Sequence, residues 1–152
     1  MKTLIAVILT FSFCMNVVSA SAQQTTSTTA VSTATYSLTV VISNVNNRTG
    51  KLYVGLANNP ASFDGESSQQ KVVDVPASGE IPVVFDGLTP GRYAVRLYQD
   101  LNGNQKIDFA GQIPSEPFGF SNVTMLMGKP DFNESSFDLN ENKTIRIRMI
   151  EM

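Results

Sequence analysis

Along most of the chain after residue 35, apolar and polar residues alternate one for one. Tyr36, Leu38, Val40 and Ile42 fall on one side and Ser37, Thr39 and Ser43 on the other, the period of a strand with one buried face. After the turn residues Asn46-Asn47-Arg48-Thr49-Gly50 the alternation resumes at Leu52, Val54 and Leu56, which predicts an antiparallel hairpin. Residues 58–69 are polar and rich in turn formers. Lys71 to Val75 predicts a short strand that stops at Pro76. Ile81, Val83 and Phe85 make the next inward row, and Pro82 places that strand at a sheet edge or at its own beginning. Tyr93, Val95 and Leu97 then point inward, with Arg92, Ala94 and Arg96 outward. Ser136 to Leu139 and Thr144 to Ile150 close the pattern. About seven strands at this spacing, with no helical period beyond a turn or two, predict an all-β fold. The expected form is an antiparallel β-sandwich, Greek-key and immunoglobulin-like or transthyretin-like.

One turn predicts more than its own shape. Thr89-Pro90-Gly91 leads into a strand that opens on Tyr93, the sequence form of a tyrosine corner, whose phenol bonds back to nearby backbone.

The N-terminal region departs from the alternation. Lys2 precedes an apolar run from Leu4 to Phe13 and small residues around Ala20 and Ala22, so residues 1–22 are expected to be a signal peptide. Residues 23–35, uncharged and rich in Ser and Thr, read as a flexible spacer before a domain at 36–152. Cys14 lies inside the signal and follows Phe13, not the small residue that lipoprotein processing needs. Without it the exported chain has no thiol, and its stability rests on packing or bound ions. The expected location is periplasmic or extracellular, with no membrane insertion once the signal is gone.

Charge and composition exclude some partners. Losing Lys2 leaves ten basic residues against thirteen acidic ones, without a basic cluster, which argues against nucleic acid. There is no histidine, the usual general base and transition-metal ligand.

Candidate chemistry gathers in Asp100-Leu-Asn-Gly-Asn-Gln-Lys-Ile-Asp108. Asp100, Asn102, Asn104 and Asp108 carry side-chain oxygens at the first, third, fifth and ninth positions of a calcium loop, and Lys106 would offer its backbone carbonyl at the seventh. Calcium takes six to eight hard oxygens, which this alternation suits. The sixth position is Gln105 where such loops have Gly, and the twelfth is Gly111, which has no carboxylate. Glu116 is the substitute if the chain folds back. The other reading is that Asp and Asn simply make side-chain-to-backbone turns. Length leans toward the ion: residues 101–121 show no clear strand, and a loop that long inside a small domain needs something to order it.

Phe109, Phe118, Phe120, Phe132 and Phe137 surround this loop in sequence and read as packing at the open end of the sandwich, or as a platform for sugar or peptide. Met125, Met127 and Met149 read as core filler.

Five segments taken in order resemble a bacterial family known as domain of unknown function 2141. They are Leu38-Thr39-Val40, Gly50 to Leu56, Leu88-Thr-Pro-Gly-Arg-Tyr-Ala-Val95, Asp100 to Asp108, and Gly119-Phe120-Ser121-Asn122. The likeness runs from about Tyr36 to Ile150. It implies secreted or periplasmic β-sandwiches with no established activity, and a loop that usually has Gly where this chain has Gln105.

The resulting expectation is an exported, non-catalytic module with calcium in its loop and an unidentified partner, such as a cell surface or carbohydrate. The alternatives are a small-ligand or carbohydrate-binding carrier with a pocket beneath the phenylalanines, and a hydrolase using Asp100, Asp108 or Glu116 as a carboxylate pair. No nucleophile–base constellation accompanies those carboxylates.

Overall fold

A computed structural model of the chain describes residues 34–151. The signal, Cys14 and spacer residues 23–33 lie outside the described residues. Within them the elements run β1 (Tyr36–Ser43), β2 (Lys51–Ala57), α1 (Pro60–Asp64), β3 (Gln69–Asp74), β4 (Ile81–Leu88), β5 (Gly91–Asp100), β6 (Phe109–Ala110), β7 (Ile113–Pro114), β8 (Phe118–Phe120), α2 (Phe132–Ser135), β9 (Phe137–Leu139) and β10 (Lys143–Arg148).

The architecture is an all-β sandwich. One sheet has the order β10-β1-β4 and the other β3-β2-β5-β8, with β9 beside the start of β5. Every pairing is antiparallel except β1 with β10, which is parallel. Pro82 lies near the start of β4, at the edge of its sheet, where a missing N–H interrupts no ladder. The inward rows form the core: Leu38, Val40 and Ile42 from one sheet meet Leu52, Val54, Leu56, Val95 and Leu97 from the other. Each such side chain contributes about 1.5–3 kcal/mol when fully buried. The tyrosine corner is present, with Tyr93 Oη donating to the Thr89 carbonyl at 2.9 Å.

The expected β1–β2 hairpin does not form. β1 pairs with β4 and β10, and β2 with β3 and β5. Asn44 turns the chain out of the first sheet at φ 59°, and Val45 is buried in the core. Gln99 Nε2 then catches the carbonyls of Asn47 at 2.8 Å and Thr49 at 2.7 Å. Residues 44–50 therefore cross from one sheet to the other, where a hairpin turn would have kept the chain in the first.

The second sheet is also covered on its outer face. Ala94, expected toward solvent, is buried with Ala57, Phe63, Phe132 and half-buried Phe120. The cover comes from α1 and α2, each too short to be stable alone. Both begin with a reciprocal capping box, Asn59 with Ser62 and Asp131 with Glu134, and each inserts one phenylalanine.

Residues 101–121 are not strand-free. β6 and β7 form a small hairpin, and β8 pairs with β5 from Arg96↔Phe120 to Tyr98↔Phe118. Phe118 and Ile150 exchange backbone hydrogen bonds of 3.1 and 2.7 Å, tying this strand to the chain beyond β10. Gly119 is required there, because a Cβ would lie 2.9 Å from Ile147 Cγ2. Of the methionines read as core filler, Met149 is buried, but Met125 and Met127 are exposed on the 121–131 loop. Leu126, between them, is half-buried.

Candidate functional site

The loop begins where β5 ends. Asp100, 2% exposed, accepts the N–H of Gly103 at 2.7 Å and of Gln105 at 2.9 Å. Asn102 Oδ1 accepts Asn104 N–H at 3.0 Å, and Asn104 Oδ1 accepts Lys106 N–H at 2.9 Å. Their amide nitrogens converge on Asp108, at 2.6 Å from Asn102 and 3.0 Å from Asn104. Gln105 stands at φ 64°. The sixth loop position thus takes the left-handed turn that Gly takes in a calcium loop, at a steric cost for a residue with Cβ.

Glu116 does fold back. It is 6% exposed, and its Oε1 accepts Leu101 N–H at 2.9 Å while Oε2 accepts Asp108 N–H at 3.1 Å. One carboxylate therefore bolts both ends of the loop to the bend that precedes β8. The base is equally tight: Gly50, at φ 74°, has no room for a Cβ, which would lie 2.0 Å from the Asp100 carbonyl.

Of the six residues picked out for an ion, Asp108, Asn102 and Asn104 are drawn together, and Asp100 and Glu116 hold backbone at either side. Lys106 shares the loop through its N–H. Among the described residues no three His, Cys, Asp or Glu side chains converge as a metal-binding group. Asn102 and Asn104 turn their Oδ1 atoms to backbone N–H groups and their amide nitrogens to Asp108, but a carboxylate has about four acceptor sites, so accepting one or two N–H groups leaves lone pairs free. Buried carboxylates ordinarily have an ionic partner. Among the described residues the ion pairs are Lys51–Asp74, Arg92–Asp138, Lys129–Asp64 and Arg146–Glu80. None involves Asp100, Asp108 or Glu116.

Beside the loop, on the outer face of the second sheet, lies a cleft of about 910 Å³. Its floor is a cross-strand pair, Tyr53 on β2 and Tyr98 on β5, stacked with ring centroids 5.0 Å apart and planes at 6°. Phe118 and Phe120 meet edge to face at 5.9 Å. Phe109 and Ile113, both more than half exposed, form one wall from the β6–β7 hairpin, and Leu126, Gly128 and Pro130 contribute to the other. Tyr98 joins loop and cleft, because its hydroxyl donates to the Gln105 carbonyl at 2.9 Å. Burial raises the Tyr98 pKa above the usual phenol range, and Tyr53 and the Asp100 and Glu116 carboxylates push the same way, against Arg96.

The phenylalanines therefore divide. Phe137 belongs to the main core and Phe132 to the outer cluster, while Phe118 and Phe120 line the cleft and Phe109 stands at its wall. The alternation places Arg96 outward, and the same period puts Tyr53 and Tyr98 on that face. Two aromatics on a nominally polar face were the signal that the face is covered.

Fold and site together define an all-β sandwich with an acidic loop at one end and an aromatic cleft on the outside of one sheet. A family model described as an uncharacterized protein conserved in bacteria (DUF2141) matches residues 40–147, and the chain belongs to that family. The matched span contains the loop and the whole cleft. No curated protein and no solved structure matches the chain.

Proposed function

We infer that this is an exported, non-catalytic binding module, periplasmic or extracellular, whose 100–108 loop takes a calcium ion. The observation that carries the reading is the pair of buried carboxylates, Asp100 and Glu116, without a cationic partner among the described residues, on a loop whose sixth residue turns left-handed. A divalent cation would supply the missing charge through lone pairs that the backbone N–H groups leave free. Ligands would be Asp100, Asn102, Asn104 and Asp108, the Lys106 carbonyl, and Glu116 in place of the absent carboxylate at the twelfth position. The non-catalytic part is supported by a cleft lined by no carboxylate.

The test is thermal melting in calcium and in chelator. For a dissociation constant of about 10⁻⁴ M, within the range of extracellular modules, roughly 10 mM calcium stabilises by about 2.7 kcal/mol. At this size that raises the midpoint by roughly 10 °C. Equal midpoints in calcium and chelator would leave the loop as a set of turns and remove the ion.

A further inference from the structure

The cleft carries a ligand class of its own, whether or not the loop takes an ion. Its lining is mostly aromatic and aliphatic. Every charged residue in it is basic: Arg96, Lys106 and Lys129. Lys129 is neutralised by Asp64 at 2.8 Å. Arg96 and Lys106 form no ion pair within the described residues.

Arg96 is the central one. It projects from the middle of β5 beside Tyr98, and its guanidinium donates to the Gly65 carbonyl with Ser67 Oγ 3.5 Å away. Burial lowers its pKa from the ordinary value, with Asp64 opposing, so the charge sits in a partly dry place. A guanidinium is a planar fork of five donors, suited to a carboxylate, and one backbone carbonyl and one hydroxyl do not exhaust it. Cleft size falls within the roughly 300–1,000 Å³ of small-molecule sites.

We propose that the cleft binds a flat, largely apolar small molecule bearing one carboxylate, its rings over the stacked Tyr53–Tyr98 pair and its anion at Arg96. Neutral sugars are disfavoured because no Asp or Glu lines the cleft to accept from their hydroxyls. A cationic ligand would lie against Arg96 and Lys106, neither of which has an ion-pair partner within the described residues.

The experiment uses two fluorescent probes of one aromatic frame, anilinonaphthalenesulfonate and uncharged N-phenylnaphthylamine, titrated into the folded chain. The sulfonate stands in for the carboxylate. One probe per chain is expected, the anion binding about tenfold tighter than its neutral counterpart, the scale of one charge-assisted hydrogen bond. Arg96→Gln should erase that ratio while leaving the neutral probe's affinity unchanged. Gly128→Phe should weaken both probes: Gly128 lines the cleft, and a Cβ there meets nothing within 4 Å, so the fold tolerates a ring at the cleft wall. If Arg96→Gln does not fold, the ratio measured on Arg96→Lys, which keeps the charge but loses the planar fork, decides, and is expected to fall about threefold. A ratio that survives the deciding variant, or probes indifferent to Gly128→Phe, would overturn the proposal. Both titrations are run in chelator and in calcium, so that their outcome is separate from the melting test of the loop.

Discussion

Replacing Glu116 with Gln separates what the carboxylate does for the loop from what it would do for an ion. Both of its oxygens accept backbone N–H groups, Leu101 at 2.9 Å and Asp108 at 3.1 Å. A glutamine can satisfy only one of these. Its NH₂ then faces the other N–H, leaving two donors opposed in a buried place. Losing a hydrogen bond to a charged group costs about 1.5–3 kcal/mol, and a stranded buried donor lies at the upper part of that range. In chelator the variant should therefore lose about 2–3 kcal/mol, or roughly 10 °C in midpoint. In calcium the wild-type chain should gain about 2.7 kcal/mol at a hundredfold excess over its dissociation constant. The variant, one anionic ligand short, should gain less than about 1 kcal/mol at the same concentration. Melting all four combinations by circular dichroism gives both quantities. A variant that melts with the wild type in chelator refutes the bolting role. Equal calcium responses refute Glu116 as a ligand.

Gly50→Ala should cost about 3 kcal/mol or more in chemical denaturation, since its Cβ would overlap the Asp100 carbonyl. Gly79→Ala, at φ 85° with open space around it, should cost only about 1 kcal/mol, the left-handed penalty alone. Gln105→Gly removes that penalty and should raise stability by up to about 1 kcal/mol, with half-saturation at a lower calcium concentration if the ion reading holds. Tyr98 should ionise later than an ordinary tyrosine in an ultraviolet difference titration. Because the folded pKa is raised, its contribution is intact below the unfolded value of about 10 and is lost as pH rises through the folded one. A titration in which all tyrosines ionise together at the ordinary value would contradict the arrangement around Tyr98.

The sandwich was legible because burial of one face imposes period two, and Leu38, Val40, Ile42, Leu52, Val54 and Leu56 obey it. Tyr93 announced its corner through the Pro-Gly turn before it. The partner of each strand was not legible: alternation says which way side chains point and nothing about neighbours. The β1–β2 hairpin failed on Val45 and Gln99, a buried hydrophobe and a buried amide that carry the connection across the core. Both short helices were written locally, as Asn59-Pro60 with Ser62 and as Asp131 with Glu134, but four or five residues are too few for a period to show. The loop's oxygen spacing was visible in sequence, and so was Glu116 as a late addition. The cleft was not, because it is made by β2, β5, β8 and two loops that meet only in space.

The parallel ladder between β1 and β10 joins residues roughly a hundred positions apart, Leu38 opposite Lys143 and Ser43 opposite Arg148. A polypeptide emerging from its N-terminal side can assemble β2, β3 and β5 from near neighbours, yet the flank of β1 stays bare until the final strand arrives. Such distant closure is intrinsically slow. The interval before it is when the flank of Tyr36–Ser43 has no strand beside it.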